Sequence, residues 1–77
     1  KDYQGAINDC NQAIKITPEY ADAYYNRGVA RRKLKDYKRA INDFIIAATL
    51  YKKKGDKASY QGILKDHNEN MLKRTLK

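Results

Sequence analysis

The sequence predicts an all-α fold, an antiparallel helix-turn-helix solenoid of about four helices. The chain repeats itself, because DYQGAIND at 2–9 returns as DYKRAIND at 36–43, six of eight letters identical at an offset of 34 residues. Apolar residues recur at intervals of three and four, the spacing of one helix face. No segment has the alternation of a β-strand. The periodic segments are separated by short turns, which make neighbouring helices antiparallel.

Composition limits the chain to one small domain or part of a larger protein. It has 77 residues, of which 42% are apolar and 34% charged, with a net charge of +8. This is too apolar for a disordered chain. The positive charge is concentrated in residues 21–54, which contain 10 basic and 3 acidic residues. Such a segment favours acidic partners through long-range attraction.

Several classes of protein are disfavoured by what the sequence contains. Its one cysteine, Cys10, cannot form an internal disulfide framework, and with the one histidine, His67, it cannot build a common structural zinc site. No apolar run approaches the roughly 20 residues of a membrane span. We therefore expect no cofactor, metal or membrane association, and a cytoplasmic location.

The first two helices are predicted at 2–16 and 21–34. In the first, one face carries Ala6, Ile7, Cys10, Ala13 and Ile14. Asp2 is suited to cap it, and Pro18 lies in the following turn, where it cannot continue a helix. In the second, Gly28 costs roughly 1 kcal/mol relative to alanine. It therefore indicates close approach of a neighbouring helix, against the alternative of an unremarkable glycine.

The third and fourth helices are predicted at 37–53 and 56–75. Asp36 is placed to cap the third helix, and Gly55 is suited to a left-handed C-terminal cap. The fourth helix has an apolar stripe made of Ala58, Tyr60, Ile63, Leu64, His67 and Met71. Its polar remainder suits a terminal helix whose outer face meets water.

The 34-residue period with two helices per period resembles the tetratricopeptide repeat. In the first helix of the family pattern, Tyr24 matches the aromatic and Gly28 the glycine, whereas Arg27 and Arg31 replace leucine and tyrosine. In the second helix the pattern is alanine, aromatic, small residue and proline. Residues 21–54 supply Ala40, Phe44 and Ala47, with Lys52 at the proline position. The first copy supplies Ala6, Cys10, Ala13 and Pro18.

The resemblance implies that the chain is a single superhelical domain composed of parts of repeats. Residues 1–20 correspond to the second helix of a repeat, 21–54 to a full repeat, and 55–77 to a degenerate repeat or capping helix. Gly62 follows Gly28 by one period. We expect the chain to be the C-terminal part of a longer array, and its first helix to have an exposed apolar face that supports a homodimer.

The resemblance also implies a non-catalytic protein–protein interaction scaffold, whose first helices line a concave, peptide-binding side. The expected binding residues are Asp22, Tyr25, Asn26, Val29, Arg32 and Lys33. Tyr25 offers a ring with a polar tip, and Asn26 both donates and accepts hydrogen bonds. Arg32 and Lys33 favour an acidic peptide. The YYNRGVARRK stretch also resembles the segment that supplies an asparagine to a carboxylate clamp in some members, although a complete clamp is not demonstrable.

The alternative function is nucleic-acid binding through the basic segment 27–39. No nucleic-acid motif accompanies this segment, so a solvated basic face is favoured. Arg27 and Arg31 either extend their stems along a groove or pair with Asp43 or Asp9, and the sequence does not decide between these. No nucleophile, base and orienting group occur at catalytic spacing, so we expect no enzyme activity.

Overall fold

The computed structural model describes residues 2–66 and contains four α-helices within that range. Their bounds are α1 Tyr3–Ile16, α2 Ala21–Lys33, α3 Tyr37–Lys53 and α4 Lys57–Asp66. The predicted all-α fold and its four helices are therefore confirmed. The predicted continuation of the fourth helix to residue 75, with His67 and Met71, lies outside the described residues. Packing is between sequence neighbours, α1 with α2, α2 with α3, and α3 with α4.

The two predicted N-terminal caps, Asp2 and Asp36, are not equivalent. Asp2 caps α1 as predicted, because its carboxylate accepts a hydrogen bond of 2.8 Å from the backbone N–H of Gly5. Asp36 is at the N-terminal boundary of α3, but its side chain makes no capping bond and lies 3.4 Å from Arg39 instead. The prediction of a side-chain cap by Asp36 is thus wrong, because the guanidinium one turn on attracts that carboxylate.

The helices α2 and α3 end in the same turn geometry. After α3, Gly55 adopts a φ of 81°, as predicted for a left-handed cap. The backbone N–H of Asp56 then donates to the carbonyl of Tyr51 at 2.8 Å, which closes the helix end. After α2, Lys35 adopts the same conformation with a φ of 65°, although it is not glycine. This turn therefore carries a backbone cost that the turn after α3 avoids.

The core is centred on α3. A buried cluster joins one residue of α2 and five of α3 to two of α4, namely Ala21, Ala40, Phe44, Ala47, Ala48, Tyr51, Ile63 and Leu64. Gly28 of α2 faces this cluster, and a Cβ at that position would lie 2.8 Å from Cε1 of Phe44. The close helix approach predicted from Gly28 is confirmed.

The two motif copies do not pack alike. Ala40 is buried, whereas Ala6, its counterpart in α1, is exposed. Within residues 2–66, α1 packs only on α2, whereas α3 packs on both α2 and α4. Tyr37, the first residue of α3, is 56% exposed.

Candidate interaction face on the second helix

The six predicted binding residues lie along one side of α2. Successive residues of an α-helix turn by about 100°, so positions 22, 25, 26, 29, 32 and 33 fall within roughly a third of its circumference. Three of them are exposed and three are half-buried. The exposed ones are Asp22, Asn26 and Lys33, and the half-buried ones are Tyr25, Val29 and Arg32. We call this set the α2 face.

The α2 face borders an open cleft of about 200 Å³, lined by Tyr25, Tyr51, Ser59, Gly62 and Ile63. These residues come from α2, α3 and α4, so the cleft lies where three helices meet. Its volume is below the roughly 300–1,000 Å³ of small-molecule pockets. It is large enough for one side chain of a bound protein segment, with Tyr25 as its aromatic wall.

Tyr25 is held in place by the core behind it. Its ring centroid lies 5.7 Å from that of Phe44, with the ring planes tilted by 50°. A tilted arrangement at this distance is favourable for two aromatic rings. The half-buried Tyr25 is therefore a fixed part of the surface, which lowers the conformational entropy lost when a ligand contacts it.

Asp22 has an intramolecular partner that the sequence did not reveal. The Tyr51 hydroxyl donates a short hydrogen bond to its carboxylate. Tyr51 is only 7% exposed. Burial raises the pKa of Tyr51, and the hydrogen bond to the Asp22 carboxylate raises it further. The phenol therefore stays neutral over the physiological pH range, and Asp22 fixes one edge of the cleft.

Ser59 is fixed at the opposite edge by Asp56. The Asp56 carboxylate accepts hydrogen bonds from the Ser59 backbone N–H at 3.1 Å and from the Ser59 hydroxyl at 2.8 Å. These bonds lower the pKa of Asp56. Sequence reasoning missed Ser59 and Tyr51 as cleft residues. The signal in the sequence for this edge of the cleft was the 34-residue period. Gly62 stands one period after Gly28, and Tyr51 stands one period after Thr17.

Arg27 and Arg31 do not belong to the α2 face, because both bind Asp43. Arg27 Nη2 lies 2.7 Å from Asp43 Oδ1, and Arg31 Nη1 lies 2.9 Å from Asp43 Oδ2. Asp43 is 1% exposed and is the buried acid of the core. Arg27 also donates to Asn11 of α1 at 2.8 Å. The hydrogen bond to Asp43 raises the pKa of Arg27.

The sequence did not decide whether Arg27 and Arg31 extend along a groove or pair with an acid, and the structure shows that they pair with an acid. They pair with Asp43 and not with Asp9, and through Asn11 they connect α1, α2 and α3. Asp43 balances one of their two positive charges, and both guanidinium groups are held at the helix interface, so the basic segment 27–39 presents fewer cations to solvent than its sequence suggests. The nucleic-acid alternative loses two of its candidate phosphate contacts in this arrangement.

Metal-ligating side chains do not converge in the described part of the chain. Within residues 2–66, no three or more histidine, cysteine or acidic side chains are grouped as metal ligands. Burial raises the pKa of the half-buried Cys10, which keeps its thiol protonated and weakly nucleophilic. Over the same residues, no helix has both the length and the apolar character that a bilayer crossing requires.

Antiparallel helix pairs that repeat every 34 residues, with a glycine at the pair's crossing, define a helical-repeat protein. The sequence comparisons identify the type of helical repeat. The family model described as TPR repeat matches residues 1–35. This match places residues 1–35 in the tetratricopeptide repeat family, whose members are typically non-catalytic scaffolds for protein–protein interaction.

Curated relatives carry the same repeat within much longer chains. Small glutamine-rich tetratricopeptide repeat-containing protein 2 of Saccharomyces cerevisiae is 46% identical over 43 residues, which is 56% of this chain and 12% of the relative. Tetratricopeptide repeat protein 36 of Danio rerio is 40% identical over 57 residues, which is 74% of this chain and 30% of the relative.

A third relative, RNA polymerase II-associated protein 3 of Xenopus tropicalis, is 48% identical over 44 residues, which is 57% of this chain and 7% of the relative. The chain therefore spans less than a third of the length of each of these relatives. No solved structure matches it.

Proposed function

We propose that this domain is a non-catalytic scaffold that binds an acidic peptide segment of a protein partner on the α2 face. The observation that carries the proposal is the cleft beside that face, with the Tyr25 ring fixed against Phe44 as its wall. An apolar or aromatic side chain of the peptide would enter this cleft. The peptide backbone would lie along α2 and contact Asn26.

The preference for an acidic segment is based on charge. Arg32 and Lys33 lie at the C-terminal end of the α2 face, and the segment 21–54 as a whole has ten basic residues against three acidic ones. Asp22 is the acidic residue of the face, at its other end, and its carboxylate accepts the Tyr51 hydrogen bond. The peptide's acidic residues are therefore expected next to Arg32 and Lys33, with its apolar anchor nearer Tyr25.

The proposal is tested with peptides selected from a random displayed library against the whole chain. Acidic peptides should be enriched, and the changes in amide chemical shift on binding should concentrate on α2 and the cleft. Asn26→Ala and Arg32→Ala, each measured by calorimetry, should weaken binding about tenfold, which corresponds to roughly 1.4 kcal/mol.

Lys38→Ala is the matched control, because it removes one exposed positive charge from α3, outside the α2 face. It should leave the affinity within about twofold, since a single charge away from the interface mainly affects the association rate. If Asn26→Ala and Arg32→Ala bind the selected peptide as tightly as the original chain, the site assignment is wrong. Circular dichroism of each variant confirms that the helices are retained.

A further inference from the structure

Two hydroxyl groups belong to the lining of the cleft beside α2, and the structure fixes what each can offer a bound side chain. They are those of Tyr51 and Ser59. The Tyr51 hydroxyl donates its proton to the Asp22 carboxylate, and the Ser59 hydroxyl donates its proton to Asp56 at 2.8 Å. A hydroxyl group has a single proton to donate, and its oxygen also accepts. Both oxygens are therefore left with acceptor positions only.

The two carboxylates hold these hydroxyl groups in place. Asp56 also accepts the backbone N–H of Ser59 at 3.1 Å, which fixes the serine in the first turn of α4. Tyr51 is 7% exposed, so its ring is fixed by the core around it. Hydrogen bonds to an ionised acceptor are stronger than those between neutral groups. Turning either proton toward a bound molecule would break such a bond, so the cleft keeps its acceptor character.

Three further residues of the lining, Tyr25, Gly62 and Ile63, favour a flat apolar group. The Tyr25 ring is a wall that is held against Phe44, and Ile63 is only 3% exposed. Gly62 leaves open space, because a Cβ built there would meet no heavy atom within 4 Å. Together with the acceptor oxygens, this lining suits an aromatic side chain that has apolar faces and a hydrogen-bond donor at one edge.

The charges around the cleft disfavour a charged side chain of either sign. A carboxylate in the cleft would approach Asp22 and Asp56, which repel it. A lysine or arginine would approach Lys54, whose Nζ lies 5.8 Å from the centroid of the Tyr51 ring. Phenylalanine is neutral, but it would remove water from the hydroxyl oxygens without donating a hydrogen bond to them, which costs free energy.

From these contacts we infer that the cleft is a specificity pocket for a tryptophan side chain of the protein partner. The indole ring lies against Tyr25, and its N–H, which only donates, binds the hydroxyl oxygen of Tyr51 or Ser59. This inference builds on the proposed function, in which one side chain of the partner enters the cleft, and it identifies that side chain. The partner's acidic residues remain next to Arg32 and Lys33.

The test uses two uncharged probes, so it does not depend on whether acidic peptides bind the α2 face. They are N-acetyltryptophanamide and its analogue with sulfur in place of the ring N–H, which has the same bicyclic shape but no donor. In a titration, the tryptophan probe should shift the amide signals of Tyr51, Ser59 and Gly62. It should bind about threefold or more tightly than the sulfur analogue, the factor expected for one net hydrogen bond. Apolar burial alone would favour the less polar sulfur analogue.

A chain with Tyr51→Phe, Ser59→Ala and Asp22→Ala lacks both acceptor oxygens and should lose the preference for the tryptophan probe. Asp22→Ala is included so that its freed carboxylate cannot replace the Tyr51 oxygen. Thr49→Val is the matched control, because it removes a hydroxyl of α3 that donates to the Ile45 carbonyl and does not line the cleft. It should keep the preference. Circular dichroism of each variant checks that the helices are retained.

Three results would overturn the inference. They are equal affinities of the two probes for the original chain, a titration in which neither probe shifts the cleft signals, and a preference retained in the folded triple variant. The proposed function would survive each of them if acidic peptides still bind the α2 face. If the tryptophan probe is preferred but no acidic peptide binds, the proposed function fails and the pocket for tryptophan stands.

Discussion

Replacing Gly28 with alanine should destabilise the domain, even though alanine is the better helix former. A Cβ at this position would lie 2.8 and 2.9 Å from two ring atoms of Phe44 and 3.1 Å from the Cβ of Asp43. Phe44 is 2% exposed, so its ring is enclosed by the core and cannot move out toward solvent. Overpacking of a core by one methyl group costs about 1–3 kcal/mol.

The helix propensity acts in the opposite direction and can be separated from the packing cost. Alanine is favoured over glycine within a helix by about 0.5–1 kcal/mol. The net effect expected for Gly28→Ala is a loss of about 1–2 kcal/mol in the free energy of unfolding. Urea denaturation followed by circular dichroism measures this difference, and an unchanged dependence on urea concentration would show that the unfolded state is not altered.

Gly62→Ala is the matched control, because Gly62 is one period after Gly28 and also lies within a helix. No heavy atom of a neighbouring group is within 4 Å of a Cβ built there. This variant should therefore gain about 0.5–1 kcal/mol from helix propensity alone. If Gly28→Ala is as stable as the original chain, or if the two variants shift in the same direction, the argument from close helix approach is refuted.

Three further predictions concern charges and turns. Asp43→Asn should lower the free energy of unfolding by about 3 kcal/mol, because two arginines lose their buried charged partner. Asp9→Asn, at an exposed position, should change it by no more than about 0.5 kcal/mol. Equal losses for the two variants in urea denaturation would contradict this prediction. Lys35→Gly should raise the free energy of unfolding by about 0.5–1 kcal/mol by relieving the positive φ, and a decrease would show that the turn is not strained. The raised pKa of Tyr51 gives stability that is present below the unfolded tyrosine pKa of about 10 and is lost as pH rises through the higher folded value. Tyr51→Phe should flatten this alkaline loss in unfolding free energy measured against pH, and an unchanged slope would exclude the phenol as its source.

Much of the fold could be predicted because it depends on local pattern. The three- and four-residue spacing of apolar side chains fixes which segments become helices, and Pro18 and Gly55 mark where they end. The 34-residue period then pairs the helices. These signals depend on short segments of the chain, so they can be recognised without knowing which other helices pack against each segment.

The candidate site could be predicted only as a helix face. The resemblance and helical spacing placed Tyr25 and Asn26 on one side of the second helix. The cleft beside them also requires Tyr51 and Ser59, which are at least 25 residues further along the chain. The hydrogen bond from Tyr51 to Asp22 likewise depends on how α3 crosses α2. No sequence spacing encodes that distance.

The sequence alone determined that this protein is a stack of helices built on a repeated motif, because helix periodicity and repeat period are properties of the chain. Only the tertiary structure decided the fate of each copy of DYxxAIND. Asp43 became the buried acid that binds two arginines, and Asp9, its identical counterpart, stayed at the surface. The physical reason is that burial and ion pairing depend on the neighbouring helix, and the same letters have different neighbours in α1 and α3.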